Sequence, residues 1–132
     1  MKYFIEKIEY AIAVFAAILT QVEEAIIIAG LLVIIDTITG WWAAKKKKEK
    51  TTSKKLGNGL LPKIALYPLI LIAGSGAEAL FPHVPFIKGA TGMIAAVEWV
   101  SIMENIDTIF GFSLWRKFKE FLAKRKGEKL DE

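Results

Sequence analysis

Cysteine is missing from this chain of 132 residues, and histidine occurs only once, as His83. Without cysteine there is no disulfide, thiol nucleophile or cysteine-ligated zinc, and a lone His83 cannot build a histidine cluster. The sequence also lacks a glycine-rich phosphate loop and a paired nucleophile and base. These absences argue against catalysis, so we expect a protein that is not an enzyme and that uses no cofactor or metal.

Apolar sequence, in contrast, is abundant: 54% of the residues are hydrophobic, compared with about 45–50% in soluble domains. It is concentrated in three blocks, at residues 25–44, 62–81 and 89–110. A helix of 20 residues is about 30 Å long, which matches the hydrocarbon core of a bilayer. We therefore expect an all-α integral membrane protein, with about three transmembrane helices in a membrane domain over residues 25–110. Pro62 suits the start of the second helix.

The first 24 residues carry an apolar stripe whose members alternate by three and four positions, which is typical of a packed amphipathic helix. The apolar core of this segment, residues 10–19, is too short to span a bilayer. No Gly or Pro precedes Gly30, so a single helix can continue into the first span. We predict that the stripe is buried by self-association or lies in the membrane interface. The candidate residues are Ile5, Ile8, Ile12, Phe15 and Leu19.

Positive charge is concentrated in two places. Residues 45–55 carry seven Lys and one Glu, a net charge of +6, within a predicted basic loop at 45–61. Residues 111–132 form a basic amphipathic tail. Basic loops stay cytoplasmic and attract anionic lipid, an interpretation that we prefer to nucleic-acid binding. We expect the N-terminus outside, and the loop and the C-terminus in the cytoplasm. The candidate membrane-surface residues are Lys45, Lys46, Lys47, Lys48, Lys50, Lys54, Lys55, Arg116 and Lys117.

Several polar side chains interrupt the spans, and charges there cost insertion energy. Asp36 and Glu98 each lie about halfway along a span, and Ser101 and Asn105 share a helical face with Glu98. Two interpretations stay open: a water-lined surface in an oligomer, or polar contacts that join helices within a bundle. No basic residue lies in the middle of a predicted span, so we expect no buried salt bridge. We predict that Asp36 approaches the Glu98 face. The candidate residues are Asp36, Glu98, Ser101, Glu104 and Asn105.

The order of these features resembles the phage holin family that includes the clostridial toxin-secretion holins, over residues 31–126. The similar motifs are DTITG at 36–40 with Ala43 and Ala44, SKK at 53–55, GLLPK at 59–63 and EWVSIMEN at 98–105. The resemblance implies a small protein that assembles in the bacterial inner membrane and permeabilises it, so that an endolysin or a toxin can leave. The implied partners are further copies of the chain, anionic lipids and the endolysin pathway. The long N-terminal helix leaves an alternative, a structural or channel subunit that anchors a larger phage or secretion assembly.

Overall fold

The computed structural model of the chain describes residues 1–111 and 113–128, and these form four helices. They are α1 (Lys2–Lys46), α2 (Ser53–Leu80), α3 (Phe86–Phe110) and α4 (Leu114–Glu128). No strand occurs over this part of the chain, which confirms the all-α expectation. Three helices, α1, α2 and α3, are long and apolar enough to cross a membrane. Residue 112 and residues 129–132 of the predicted tail lie outside the described residues.

Helix α1 is continuous over 45 residues, or about 68 Å, more than twice the hydrocarbon thickness. Its buried residues all lie from Val22 onward. Val22, Ala25 and Ala29 pack with Leu71 of α2 and Ile94 of α3 in the main core cluster. Residues 2–20 therefore extend about 28 Å beyond the bundle that α1, α2 and α3 form.

Helix α2 begins earlier than the sequence indicated. We expected a loop over residues 45–61 and a helix start at Pro62, but the helix starts at Ser53 and runs through both Pro62 and Pro68. The reason is a cap at Thr52, whose hydroxyl oxygen accepts a hydrogen bond from the backbone N–H of Lys55 at 3.2 Å. The last nine residues of the expected loop, 53–61, thus belong to the helix, and Lys63 lies inside it.

Acidic side chains accept hydrogen bonds from backbone N–H groups at the start of α3 and at the start of α4. A carboxylate oxygen of Glu78 in α2 accepts from the backbone N–H of Ile87 at 3.0 Å, in the first turn of α3. At the other end, Gly111 adopts the left-handed conformation (φ 70°) that commonly ends a helix. The Asp107 carboxylate then accepts from the N–H groups of Leu114 and Trp115, at 2.9 and 3.0 Å, and so caps α4.

Helix α4 packs against α3 through aromatic rings. Trp99 of α3 lies edge-on to Trp115 and Phe118 of α4, with ring centroids 5.8 and 6.0 Å apart. By chain order, the C-terminal ends of α1 and α3, the N-terminal end of α2 and the start of α4 share one end of the bundle. Both basic segments lie at this end, which we call the basic end.

Candidate functional site

A three-residue ion cluster joins the three long helices. The Lys63 ammonium in α2 lies 2.6 Å from Asp36 Oδ2 in α1 and 2.8 Å from Glu98 Oε2 in α3. Each helix therefore contributes one charged side chain, and the lysine bridges the two acids. Asp36 and Lys63 are each ten residues from the basic end of their helix, and Glu98 is twelve, so the cluster lies about 15–18 Å inside the bundle.

Neutral side chains complete the hydrogen bonding of both acids. The Tyr67 hydroxyl donates to Glu98 Oε1. The Asn105 amide nitrogen donates to Asp36 Oδ1 at 3.1 Å and to Thr39 Oγ1 at 3.2 Å. All four carboxylate oxygens of Asp36 and Glu98 thus accept a hydrogen bond, which is the condition under which charge can be tolerated away from water.

Helical spacing explains how so many groups reach one point. Lys63 and Tyr67 are four residues apart and Glu98 and Asn105 are seven apart, so each pair lies on one face of its helix. Gly40 lies opposite Asn105: a Cβ at Gly40 would be 3.4 Å from the amide nitrogen, which is the short end of van der Waals contact. The glycine therefore lets the α3 side chain approach the α1 backbone closely.

Burial makes this cluster costly to disturb. The Glu98 side chain is 0% exposed, that of Asp36 is 12% exposed and that of Lys63 is 24% exposed. With two carboxylates and one ammonium, the cluster carries a formal charge of −1 in surroundings of low dielectric. In such a site, loss of the lysine would leave two carboxylates without a cation, and removing one partner of a buried ion pair typically costs about 3–5 kcal/mol. The arrangement therefore fastens the helices of one subunit together.

The sequence-based expectation that no buried salt bridge is available was wrong. It rested on placing Lys63 at the first turn of α2, from which its ammonium would reach the membrane interface. Because α2 starts at Ser53, Lys63 is almost three turns inside the helix, level with Asp36. Tyr67 and Thr39 were also missed as members of the site. One signal was available in the sequence: Lys63 and Tyr67 have the i, i+4 spacing that places both on a single helical face.

The predicted polar residues separate into two groups. Asp36, Glu98 and Asn105 come together in the cluster, as described above. Ser101 lines a cleft of about 220 Å³ beside the cluster, and Asp36, Lys63 and Asn105 line the same cleft. Glu104 is exposed, and the hydrogen bonds of the cluster do not include its side chain. Within the described residues, no group of His, Cys, Asp or Glu is arranged to hold a metal ion.

The predicted membrane-surface lysines and arginine are all exposed and lie at the basic end. The ammonium of Lys45 lies 4.3 Å from the centre of the Trp41 ring. The Lys55 ammonium lies 2.8 Å from Glu49 Oε2, and this hydrogen bond holds the pKa of the Glu49 carboxyl below its usual value. The full set lies on four segments: the last turn of α1 (Lys45, Lys46), the connection between α1 and α2 (Lys47, Lys48, Lys50), the first turn of α2 (Lys54, Lys55) and α4 (Arg116, Lys117).

The N-terminal stripe lies on the part of α1 that extends beyond the bundle. Its side chains are between 39% exposed, at Leu19, and 62% exposed, at Ile12. A polar contact marks where the bundle begins: the Ser75 hydroxyl of α2 donates to Gln21 Oε1 of α1 at 2.8 Å. The other members of the stripe, Ile5, Ile8 and Phe15, are exposed as well. No other part of the subunit therefore covers the stripe among the residues that the structure describes.

Comparison with known families gives one match. A family model described as the bacteriophage holin family matches residues 13–126, which covers α1 from its exposed half through most of α4. No curated protein and no solved structure matches the chain. The matched region contains the whole ion cluster and all three candidate spans. The chain therefore belongs to the bacteriophage holin family, a family of pore-forming and non-enzymatic membrane proteins.

Proposed function

We propose that this holin-like protein oligomerises in the bacterial inner membrane and permeabilises it, which releases an endolysin or a toxin. The observation that carries the proposal is the contrast between polar groups that are paired with each other inside the bundle and apolar faces that are uncovered. Glu98 is fully buried and paired. In contrast, only 22%, 11% and 17% of the residues in the apolar 18-residue stretches of α1, α2 and α3 are buried. A lesion then requires several subunits, because the charges of one bundle are engaged with each other.

This contrast favours one of the two interpretations of the polar stripe. Asp36, Lys63 and Glu98 act as contacts that join helices within a subunit, and not as the wall of a lumen. The cleft that Ser101 shares with Asp36 and Lys63 extends to Lys55 near the basic end. A hydrated path in the oligomer would therefore be lined by surfaces other than the buried contacts of Glu98.

Self-association through the stripe of residues 2–20 is part of the proposal. The stripe lies on the same face of α1 as Val22, which is fully buried in the bundle. The face that contacts α2 and α3 thus continues past the point where they end. Copies inserted in one orientation would place these stripes side by side and parallel, outside the membrane.

The orientation that we propose follows from charge. The basic end, with its +6 segment at residues 45–55, is cytoplasmic, and the connection between α2 and α3 is outside. The C-terminus is then inside and the N-terminus outside. Anionic lipid of the cytoplasmic leaflet would face the lysines of the basic end.

Expression in a bacterial host with a membrane-potential dye tests the function. If the chain is a lesion-forming holin, induction alone should abolish the potential at a defined time. The native chain is compared with Glu98→Leu at equal membrane levels. This variant removes the Glu98 contacts with Lys63 and Tyr67 without adding charge, and it should delay or abolish the lesion. A normal potential at full membrane accumulation of the native chain would contradict the proposal.

A second function is favoured by the length of α1. Residues 2–20 extend about 28 Å beyond the bundle, a helix long enough to dock another protein outside the membrane. The chain would then be a structural or channel subunit of a larger phage or secretion assembly. Such a subunit should leave the membrane potential intact when expressed alone and alter it only with its partner, so the same dye experiment separates the two functions.

A further inference from the structure

An apolar groove lies between α1 and α2. It has a volume of about 320 Å³, and its lining includes Ile26 and Gly30 of α1 and Leu60, Ile64 and Leu71 of α2. One charged side chain, Lys63, lies on its wall. This apolar lining offers few hydrogen-bonding groups to a water-soluble ligand, and it is chemically similar to the hydrocarbon chain of a lipid.

The length of the groove matches one leaflet of a bilayer. From Leu60 to Leu71 is eleven residues of α2, or about 16 Å, and half of a hydrocarbon core is about 15 Å. Lys54 is six residues beyond Leu60, or about 9 Å further toward the basic end, which places it at the level of the headgroups. A phospholipid of that leaflet therefore spans the distance from the lysines to the inner end of the groove.

The lining of the groove suits a flexible hydrocarbon chain. It consists mainly of aliphatic side chains of α1 and α2, and Lys63 is its one charged residue. A hydrocarbon chain can follow such a surface, because its atoms pack about 4 Å from their neighbours. A second copy of the chain is the competing occupant, and the experiment below separates the two.

The lysines at the basic end of the groove favour an anionic lipid over a neutral one. Residues 45–55 carry a net charge of +6, and Lys54 and Lys50 form no ion pair among the residues that the structure describes. Each lysine near a membrane surface attracts anionic lipid by about fivefold in binding. We infer that the groove between α1 and α2 holds one acyl chain of an anionic phospholipid of the leaflet at the basic end, with its phosphate at the level of Lys54. The inference rests on the membrane-spanning fold and not on permeabilisation.

Native mass spectrometry of the full chain in detergent tests this, with phosphatidylglycerol and phosphatidylcholine of identical acyl chains. Gly30→Leu should fill the groove without disturbing the bundle, since a Cβ at Gly30 meets nothing within 4 Å. Gly76→Leu is the matched control: it is equally open and does not line the groove. We expect bound phosphatidylglycerol to fall about tenfold in Gly30→Leu and to be unchanged in Gly76→Leu. Lys50→Gln with Lys54→Gln should lower the preference for phosphatidylglycerol over phosphatidylcholine at least fivefold.

Two outcomes would overturn the inference. One is equal lipid binding by Gly30→Leu and Gly76→Leu, provided that both retain the helix content of the native chain. The other is loss of oligomers in Gly30→Leu with lipid binding retained, which would assign the groove to a second copy. If Gly30→Leu does not fold, Ile64→Trp fills the same groove from an exposed side chain of α2. The membrane-potential experiment is a separate readout, so failure of the lipid site and failure of the holin function are distinguishable.

Discussion

Replacing Lys63 with methionine should be the most damaging single substitution in the bundle. Methionine keeps much of the length and shape of the side chain but removes the ammonium that bridges Asp36 and Glu98 at 2.6 and 2.8 Å. Both carboxylates would then face each other without a cation, and Glu98 has no exposure through which water could compensate. Breaking a buried pair by removing one partner costs about 3–5 kcal/mol. We expect a loss of this size in the free energy of unfolding, which is a factor of about 150 to 5,000 in the folding equilibrium.

The assay is unfolding of the purified chain by sodium dodecyl sulfate in mixed micelles, followed by tryptophan fluorescence and helical circular dichroism. Lys88→Met is the matched control, because Lys88 is exposed at the start of α3 and forms no ion pair among the described residues. It should change stability by less than about 0.5 kcal/mol.

Neutralising the acids should rescue the lysine variant. The triple variant Lys63→Met, Asp36→Asn, Glu98→Gln removes every charge of the cluster while it keeps the shapes and much of the hydrogen bonding. Exchanging a whole buried ion cluster for neutral groups is often nearly neutral in stability. We therefore expect the triple variant to recover most of the loss. If Lys63→Met is no worse than Lys88→Met, or if the triple variant is as unstable as the single one, the cluster does not hold the bundle together.

Two further predictions concern the ends of the bundle. For orientation, single cysteines can be placed at Ser53 and at His83, since the chain has no native cysteine. In intact cells a membrane-impermeant maleimide should label the cysteine at position 83 but not the one at position 53. The opposite pattern would reverse the proposed topology. For the stripe, Phe15→Asp should reduce crosslinked oligomers at least fivefold, because a charge would be buried in the proposed contact between copies. The matched variant Ala17→Asp adds the same charge on the other side of α1 and should leave the crosslinked ladder intact; equal ladders in both variants would exclude the stripe as the contact.

The sequence determined the class of this protein because that class depends on patterns along the chain. Apolar blocks of about 20 residues predict spanning helices whatever their neighbours, and three such helices are present. The absence of Gly or Pro before Gly30 left one continuous helix open as a possibility, and the structure has that helix. The spacing of Glu98 and Asn105 placed them on one face, and the ordered motifs resembled the family to which the chain belongs.

Only the tertiary structure decided what the polar residues do, because their partners lie on other helices. Asp36 and Glu98 are 62 positions apart in the chain, and no local rule shows that one lysine reaches both. The start of α2 decides this: a cap at Thr52 moves Lys63 from the membrane interface to the depth of the two acids. A shift of nine residues in one helix boundary, the kind of detail that local sequence fixes least well, turned two costly isolated carboxylates into a paired cluster.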